Sequence, residues 1–193
     1  MENELFGFIA KYMPLSDEEK QAITDLGIFK SFKKGTVLLH EGEVSIDYYF
    51  VIKGCLRCYY IIDGEEKTTD FFTESQSFAP QSSVTKTPST YYLSCVEDSI
   101  LTVANAEMEQ AIFEKFPRFE TLCRLLSEDL LAKNQASFDS FKTSTPEQRY
   151  LHLQNTRPDL LQRVPLHQLA SYLGIKRESL SRIRKRLLQQ EKS

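Results

Sequence analysis

Tryptophan is absent from this chain of 193 residues, and histidine (3), methionine (3), cysteine (4), glycine (7) and proline (7) are all sparse. So little glycine and proline excludes collagen-like and low-complexity chains. Four unevenly spaced cysteines, Cys55, Cys58, Cys95 and Cys123, do not build a disulfide framework. Cys55 and Cys58 have the spacing of a metal pair, but Cys55-Leu-Arg-Cys58-Tyr-Tyr-Ile-Ile reads as a strand, where positions three apart face opposite ways. They are expected as small buried apolar residues, with no metal. No apolar run approaches the roughly 20 residues that span a bilayer. Acids follow Met1 where a signal peptide needs basic and apolar residues, so the expected compartment is the cytoplasm, without a membrane partner.

What is present is an ordinary globular balance: 41% hydrophobic and 26% charged residues, net charge -3, and length for one large domain or a medium and a small one. The net value hides a split. Residues 1–145 carry 14 basic and 23 acidic side chains, a net of -9, whereas residues 146–193 carry 10 and 4, a net of +6. A basic segment behind an acidic one points to a polyanionic partner for the second, because each neutralised phosphate releases counterions.

Apolar residues at helical spacing (Leu5, Phe8, Ile9, Tyr12) and a capping box from Ser16 to Glu19 predict two short helices before Gly27. From Lys30 to Val103 the pattern changes to strands, predicted at 36–39, 47–52, 55–62, 67–72, 90–94 and 99–103. Turns fall at Lys34-Gly35, Glu41-Gly42, Lys53-Gly54 and Asp63-Gly64, the last a two-residue hairpin signal. Such strands predict a sandwich or jelly-roll-like barrel. Asn105 is placed to cap a helix reaching Lys115, and Pro117 to open one reaching Lys142, about 39 Å long. Its stripe includes Leu122, Leu125, Leu126 and Leu130, interrupted by Asp129, Lys133 and Asp139. Packing on its own β-domain and a dimer seam are equally open for its first half. Thr143-Ser-Thr-Pro146 breaks the pattern as a hinge. The expected division is 1–116, a β-domain with flanking helices; 117–142, the long helix; 143–146, the hinge; and 147–193, a small basic domain.

The strongest local pattern lies in Pro165–Gln190. Leu169, Ala170 and Leu173 form one apolar face, Gly174 permits a tight turn, Ile175 packs beneath it, and Leu180, Ile183 and Leu187 face inward from a second helix. This is a helix-turn-helix pattern. At about 100° per residue, Glu178, Ser181, Arg182 and Lys185 fall on the side opposite that apolar set. An Arg can bond two guanine edge atoms, a Glu can accept from a cytosine amino group, and Ser and Lys can reach base or phosphate. Lys176, Arg177, Arg184 and Arg186 flank this face and are placed to meet phosphates with Lys185. An acid on a phosphate-facing surface costs non-specific affinity, so Glu178 beside Arg182 argues for base reading.

These residues resemble the Crp/Fnr family of bacterial transcription regulators. Lys34-Gly-Thr-Val-Leu-Leu-His-Glu-Gly42 and Tyr49-Phe-Val-Ile-Lys-Gly54 are similar to the family's early β-roll segments, and Arg177-Glu178 followed by Arg182 matches its Arg-Glu-x-x-x-Arg reading set. The resemblance implies an α+β architecture: a jelly-roll-like sensor, a long dimerisation helix and a C-terminal, winged-helix-like helix-turn-helix domain. It also implies a homodimer reading palindromic double-stranded DNA, with Arg177, Glu178 and Arg182 on bases, and RNA polymerase as a partner if the protein activates. A β-hairpin wing is expected to be absent or to lie before the helix-turn-helix, since Ser193 follows shortly after it.

The effector region departs from the family. Cyclic-nucleotide-binding members carry Gly-Glu before a short helix and a downstream Arg-Ser or Arg-Thr; here the stretch Glu74-Ser-Gln-Ser-Phe-Ala-Pro-Gln-Ser-Ser-Val-Thr-Lys-Thr-Pro88-Ser89 has no Gly-Glu pair, and Pro88 stands near the Arg position. A phosphate pocket without its cation loses its charge-assisted bonds. The expectation is a sensor that does not hold cyclic AMP in the usual way, with an unknown small-molecule effector or none. Phe78, Ser82, Ser83, Lys86 and Ser89 are its candidate pocket. No cysteine precedes Cys55, which excludes the family's N-terminal iron-sulfur route. A cupin-like enzyme is the first rival, but His40, His152 and His167 are too dispersed for its metal site, and no nucleophile motif or phosphate loop appears. Neither an enzyme nor a cofactor is expected. The second rival is a β-roll protein-interaction module with incidental DNA affinity.

Overall fold

Strand β3 (Asp47–Lys53) shows why the β region is so apolar: Tyr49 and Val51 pack inside the barrel, while Phe50 and Ile52 pack outside against helices. Both faces of the strand are therefore covered. In the computed structural model, which describes residues 2–190, β3 belongs to an antiparallel sheet with β1 (Phe29–Phe32), β8 (Ser99–Asn105) and β6 (Ser77–Phe78), in the order β1-β8-β3-β6. A second antiparallel sheet runs β2-β7-β4-β5, from β2 (Val37–Leu39), β7 (Tyr92–Cys95), β4 (Leu56–Ile62) and β5 (Glu65–Phe72). Leu39, Val51, Leu56, Leu93 and Leu101 meet between the sheets. The hairpin at Asp63-Gly64 forms as its sequence predicts, both residues having positive φ (54° and 78°). Strands β1 and β6 carry no sequence signal, being four and two residues long and held by their neighbours' ladders.

Helices α1 (Glu2–Ile9), α2 (Asp17–Asp25), α4 (Ala106–Lys115) and the start of α5 (Arg118–Thr143) cover the outer face of the first sheet. Ser16 and Glu19 cap α2 reciprocally, and the Asn105 side chain accepts from the Met108 N–H at 3.0 Å. Glu19, buried, receives both Nε and Nη2 of Arg118, at 2.6 and 2.7 Å, tying α2 to α5. For the first half of α5, one of the two roles left open is realised: Leu122 is buried against its own β-roll with Phe119, and Leu126, half-buried, packs there too, while Leu125 and Leu130 are exposed.

The remaining helices are α6 (Pro146–Thr156), α7 (Leu160–Arg163), α8 (Leu166–Tyr172) and α9 (Arg177–Gln190), with short α3 (Gln81–Thr85) lying back in the β-roll. Pro146 stands at the start of α6, with Thr145 and Gln148 as a capping box. No strand follows β8 among the described residues; α7 occupies the segment between α6 and α8 where a wing would lie. Leu153, Leu160, Leu169, Leu173 and Leu180 share one core with Cys55, Phe71 and Val96 of the β-roll. Cys55 and Cys58 lie in different clusters, and burial pushes their thiols up to about 12 and about 11.

Candidate nucleic-acid interface

Leu169, Ala170, Leu173 and Leu180 are buried where α8 crosses α9, with Ile175 and Ile183 packed against them. Gly174 turns the chain at φ 70°, and the Ile175 N–H donates to Ala170 O at 3.0 Å. Gly174 is also a close approach: a Cβ there would stand 3.3 Å from the Phe141 ring. The predicted framework residues therefore all meet in one crossing.

That crossing leaves the polar face of α9 open. Arg177, Glu178, Ser181, Arg182 and Lys185 are exposed, as is Lys176 in the preceding turn, and Arg184 is half-buried. Among the described residues Lys176, Arg177, Arg182, Arg184 and Lys185 form no ion pair; Arg182 reaches only Ser179 Oγ, at 3.4 Å. Arg186 differs, since it is paired with Glu147 of α6. The arrangement is a row of cations outside any ion pair, around one acid and one hydroxyl on an exposed helix face and the turn before it, which suits a polyanion whose edges also carry donors and acceptors.

Other basic residues of the +6 segment are engaged within the molecule. Arg163 donates to Glu74 Oε1 and Oε2, both at 2.8 Å, to Glu97 Oε1 at 2.5 Å and to Gly54 O at 2.8 Å. Burial alone pushes the Glu74 carboxyl up, but its bonds to Arg163 and the Gly54 N–H outweigh that and hold it below the ordinary carboxylate value. Arg157 donates to Phe71 O at 2.9 Å, Thr73 Oγ1 at 3.1 Å and Gln76 Oε1 at 3.2 Å. Ser171 Oγ accepts from the Thr68 N–H at 2.9 Å and donates to Glu66 O at 3.1 Å, docking α8 on β5. Sequence reading missed these joint residues, whose partners lie 66 to 109 positions away in the chain.

The candidate effector residues lie around α3. Ser82, Ser83 and Ser89 are buried and already bonded: Ser82 Oγ to Ser45 O at 3.3 Å, Ser83 Oγ to Pro80 O at 2.7 Å, and Ser89 Oγ to Tyr91 O at 2.8 Å. The Lys86 ammonium donates to Ser83 O at 2.5 Å, so it caps α3, and Phe78 packs against Phe72 and Tyr91. Arg57, unpredicted, is buried on β4, donating to Thr68 Oγ1 at 2.8 Å and Glu66 Oε2 at 2.5 Å above the Tyr59 ring. Its Leu-Arg-Cys-Tyr alternation was the available signal.

Residues 29–116 match the family model of the cyclic nucleotide-binding domain. No curated protein matches the chain in sequence. Solved structures do resemble it. The c-di-GMP responsive global regulator CLP of Xanthomonas campestris has 17% identity, a TM-score of 0.66, and the match covers 91% of this chain and 93% of that one. A CooA mutant from Carboxydothermus hydrogenoformans has 17% identity and a TM-score of 0.65 over 84% and 76% of the two chains. The Catabolite Activator Protein of Thermus thermophilus has 21% identity and a TM-score of 0.52 over 93% and 87%. No described helix is long and apolar enough to cross a membrane.

Proposed function

From a chain whose residues 29–116 match the cyclic nucleotide-binding domain model, and whose overall fold resembles that of Crp/Fnr-type regulators, we propose a sequence-specific, DNA-binding transcription regulator. It acts as a homodimer and is not an enzyme. The observation that carries this reading is the open face of α9, where Arg177, Glu178, Ser181 and Arg182 are exposed while Arg157 and Arg163 are turned inward. Two such helices about 34 Å apart would enter successive major grooves of a palindromic site. Arg177, Glu178, Ser181 and Arg182 read bases; Lys176, Arg184 and Lys185 meet phosphates, as does Arg186 once it leaves Glu147.

The β-roll does not hold cyclic AMP in the usual way on this reading, because Lys86, the one cation of its candidate pocket, caps α3. Selection of genomic DNA fragments by the purified protein, with no added small molecule, tests the central claim. One palindromic motif is the expected result. On that site Arg182→Ala should cost about 1–3 kcal/mol and relax one base pair. An equal loss on random DNA would remove the base-reading assignment.

A further inference from the structure

A cleft of about 370 Å³ lies between β5, the C-terminal half of α5, α6 and α8, away from α3 and its serines. This is the size of a small-molecule site. Most of its charged lining is engaged. Lys133 donates to Asp129 Oδ2 at 2.6 Å, Arg157 is held by the Phe71 to Gln76 segment, and Asp70 accepts the Phe71 N–H at 2.7 Å with Arg157 at 4.0 Å. Arg149 is the exception. Among the described residues it has no carboxylate partner, and its Nη1 reaches only Phe141 O, at 3.3 Å. Its guanidinium lies 4.3 Å from the Phe141 ring centre, and its Nε is shut off from solvent without an acceptor.

A guanidinium with no carboxylate among the described residues and a single long bond to one carbonyl has donors left over that an incoming anion would accept. The fork of an Arg matches a carboxylate or phosphate, and here an aromatic face, Phe141, already lies against it. Tyr172, Leu153 and Leu173 give the same cleft an apolar side. We propose that this cleft binds a small organic anion with a flat, apolar body, its carboxylate or phosphate head on Arg149. Its walls come from the β-roll, the long helix and the helices that carry α9, so an occupant would favour one setting of the reading helix over others.

Calorimetric titration of the full chain without DNA tests this, with phenyl phosphate, benzoate, inorganic phosphate and benzyl alcohol as probes. Saturable binding of one or both ring-bearing anions is expected, with at least roughly tenfold weaker binding of inorganic phosphate and benzyl alcohol, which each lack one half of the match. Binding of phenyl phosphate alone assigns a phosphate head, and of benzoate alone a carboxylate. Arg149→Met should weaken binding at least roughly tenfold. Ser137→Trp, placed on the exposed α5 wall, should block the cleft with the helical content unchanged. The proposal is overturned if neither ring-bearing anion binds at millimolar concentration, if inorganic phosphate binds as well as phenyl phosphate, or if both variants bind like the wild type. No DNA enters the measurement, so these outcomes leave base reading by Arg182 untouched.

Discussion

Gly54 is the residue whose side chain the fold cannot admit. Its φ is 113°, and a Cβ would stand 2.3 Å from Ser99 Oγ and 2.7 Å from Ser99 Cα, so β8 itself would have to move. Gly54→Ala should cost about 3 kcal/mol or more in a denaturant titration, and a change near zero would show that the two strands separate freely. Arg186 makes a different point at the same scale. The sequence offers it as a phosphate contact, yet Glu147 holds it. Glu147→Gln should free it, and the slope of log binding constant against log salt should steepen by about 1 per subunit. An unchanged slope would mean that Arg186 does not reach DNA.

At the scale of elements, α5 divides into two halves with different tasks. Its first turns are buried in the β-roll through Phe119 and Leu122, so this part of the apolar stripe faces the molecule's own core. Further along, Leu131 (71% exposed) and Phe138 (60% exposed) stand seven positions apart on one face, Phe138 with only the Lys142 ammonium over its ring at 5.3 Å. Burying two such side chains from each protomer would contribute about 3–5 kcal/mol per protomer to a dimer contact. Leu131→Asp with Phe138→Asp should convert a dimer to a monomer by sedimentation, with the far-ultraviolet circular dichroism retained. A variant that sediments as the wild type would place the dimer contact elsewhere.

For the whole molecule, the decisive feature is that helices α6 to α9 dock on their own β-roll. A hinge at Thr143–Pro146 would by itself leave them free, but Arg163, Arg157 and Ser171 fasten them to the β-roll around a shared core. Arg163→Ala strands Glu74 and Glu97 and should cost about 2–3 kcal/mol, less than a fully buried pair because Arg163 is 22% exposed. Faster proteolysis within residues 143–146 would report the release. The Glu74 carboxyl is held below its ordinary value of 4.5, so the unfolded chain binds its proton more readily, and its contribution is present above that value and lost as pH falls below it. The stability gap between wild type and Glu74→Gln should therefore close at acid pH. A gap that persists unchanged would mean that the Glu74 charge does not hold the joint.

The sequence by itself determined what is local: the capping box at Ser16, the Asp63-Gly64 hairpin, the Asn105 cap, the Leu169 to Ile183 crossing and the polar face of α9. Each depends on residues a few positions apart, where periodicity and turn chemistry act directly. Strand β6, the inward side of Leu122 and the whole joint of Arg157, Arg163 and Ser171 were decided only by tertiary structure. Their partners come from other elements, and a charge on a helix reads the same in sequence whether it faces DNA, solvent or a glutamate. Arg163 and Arg182 both lie in the basic segment; the close approach of Glu74 and Glu97 turned one inward, whereas no element packs a carboxylate into ion-pair contact with the other among the described residues, and it stays outward.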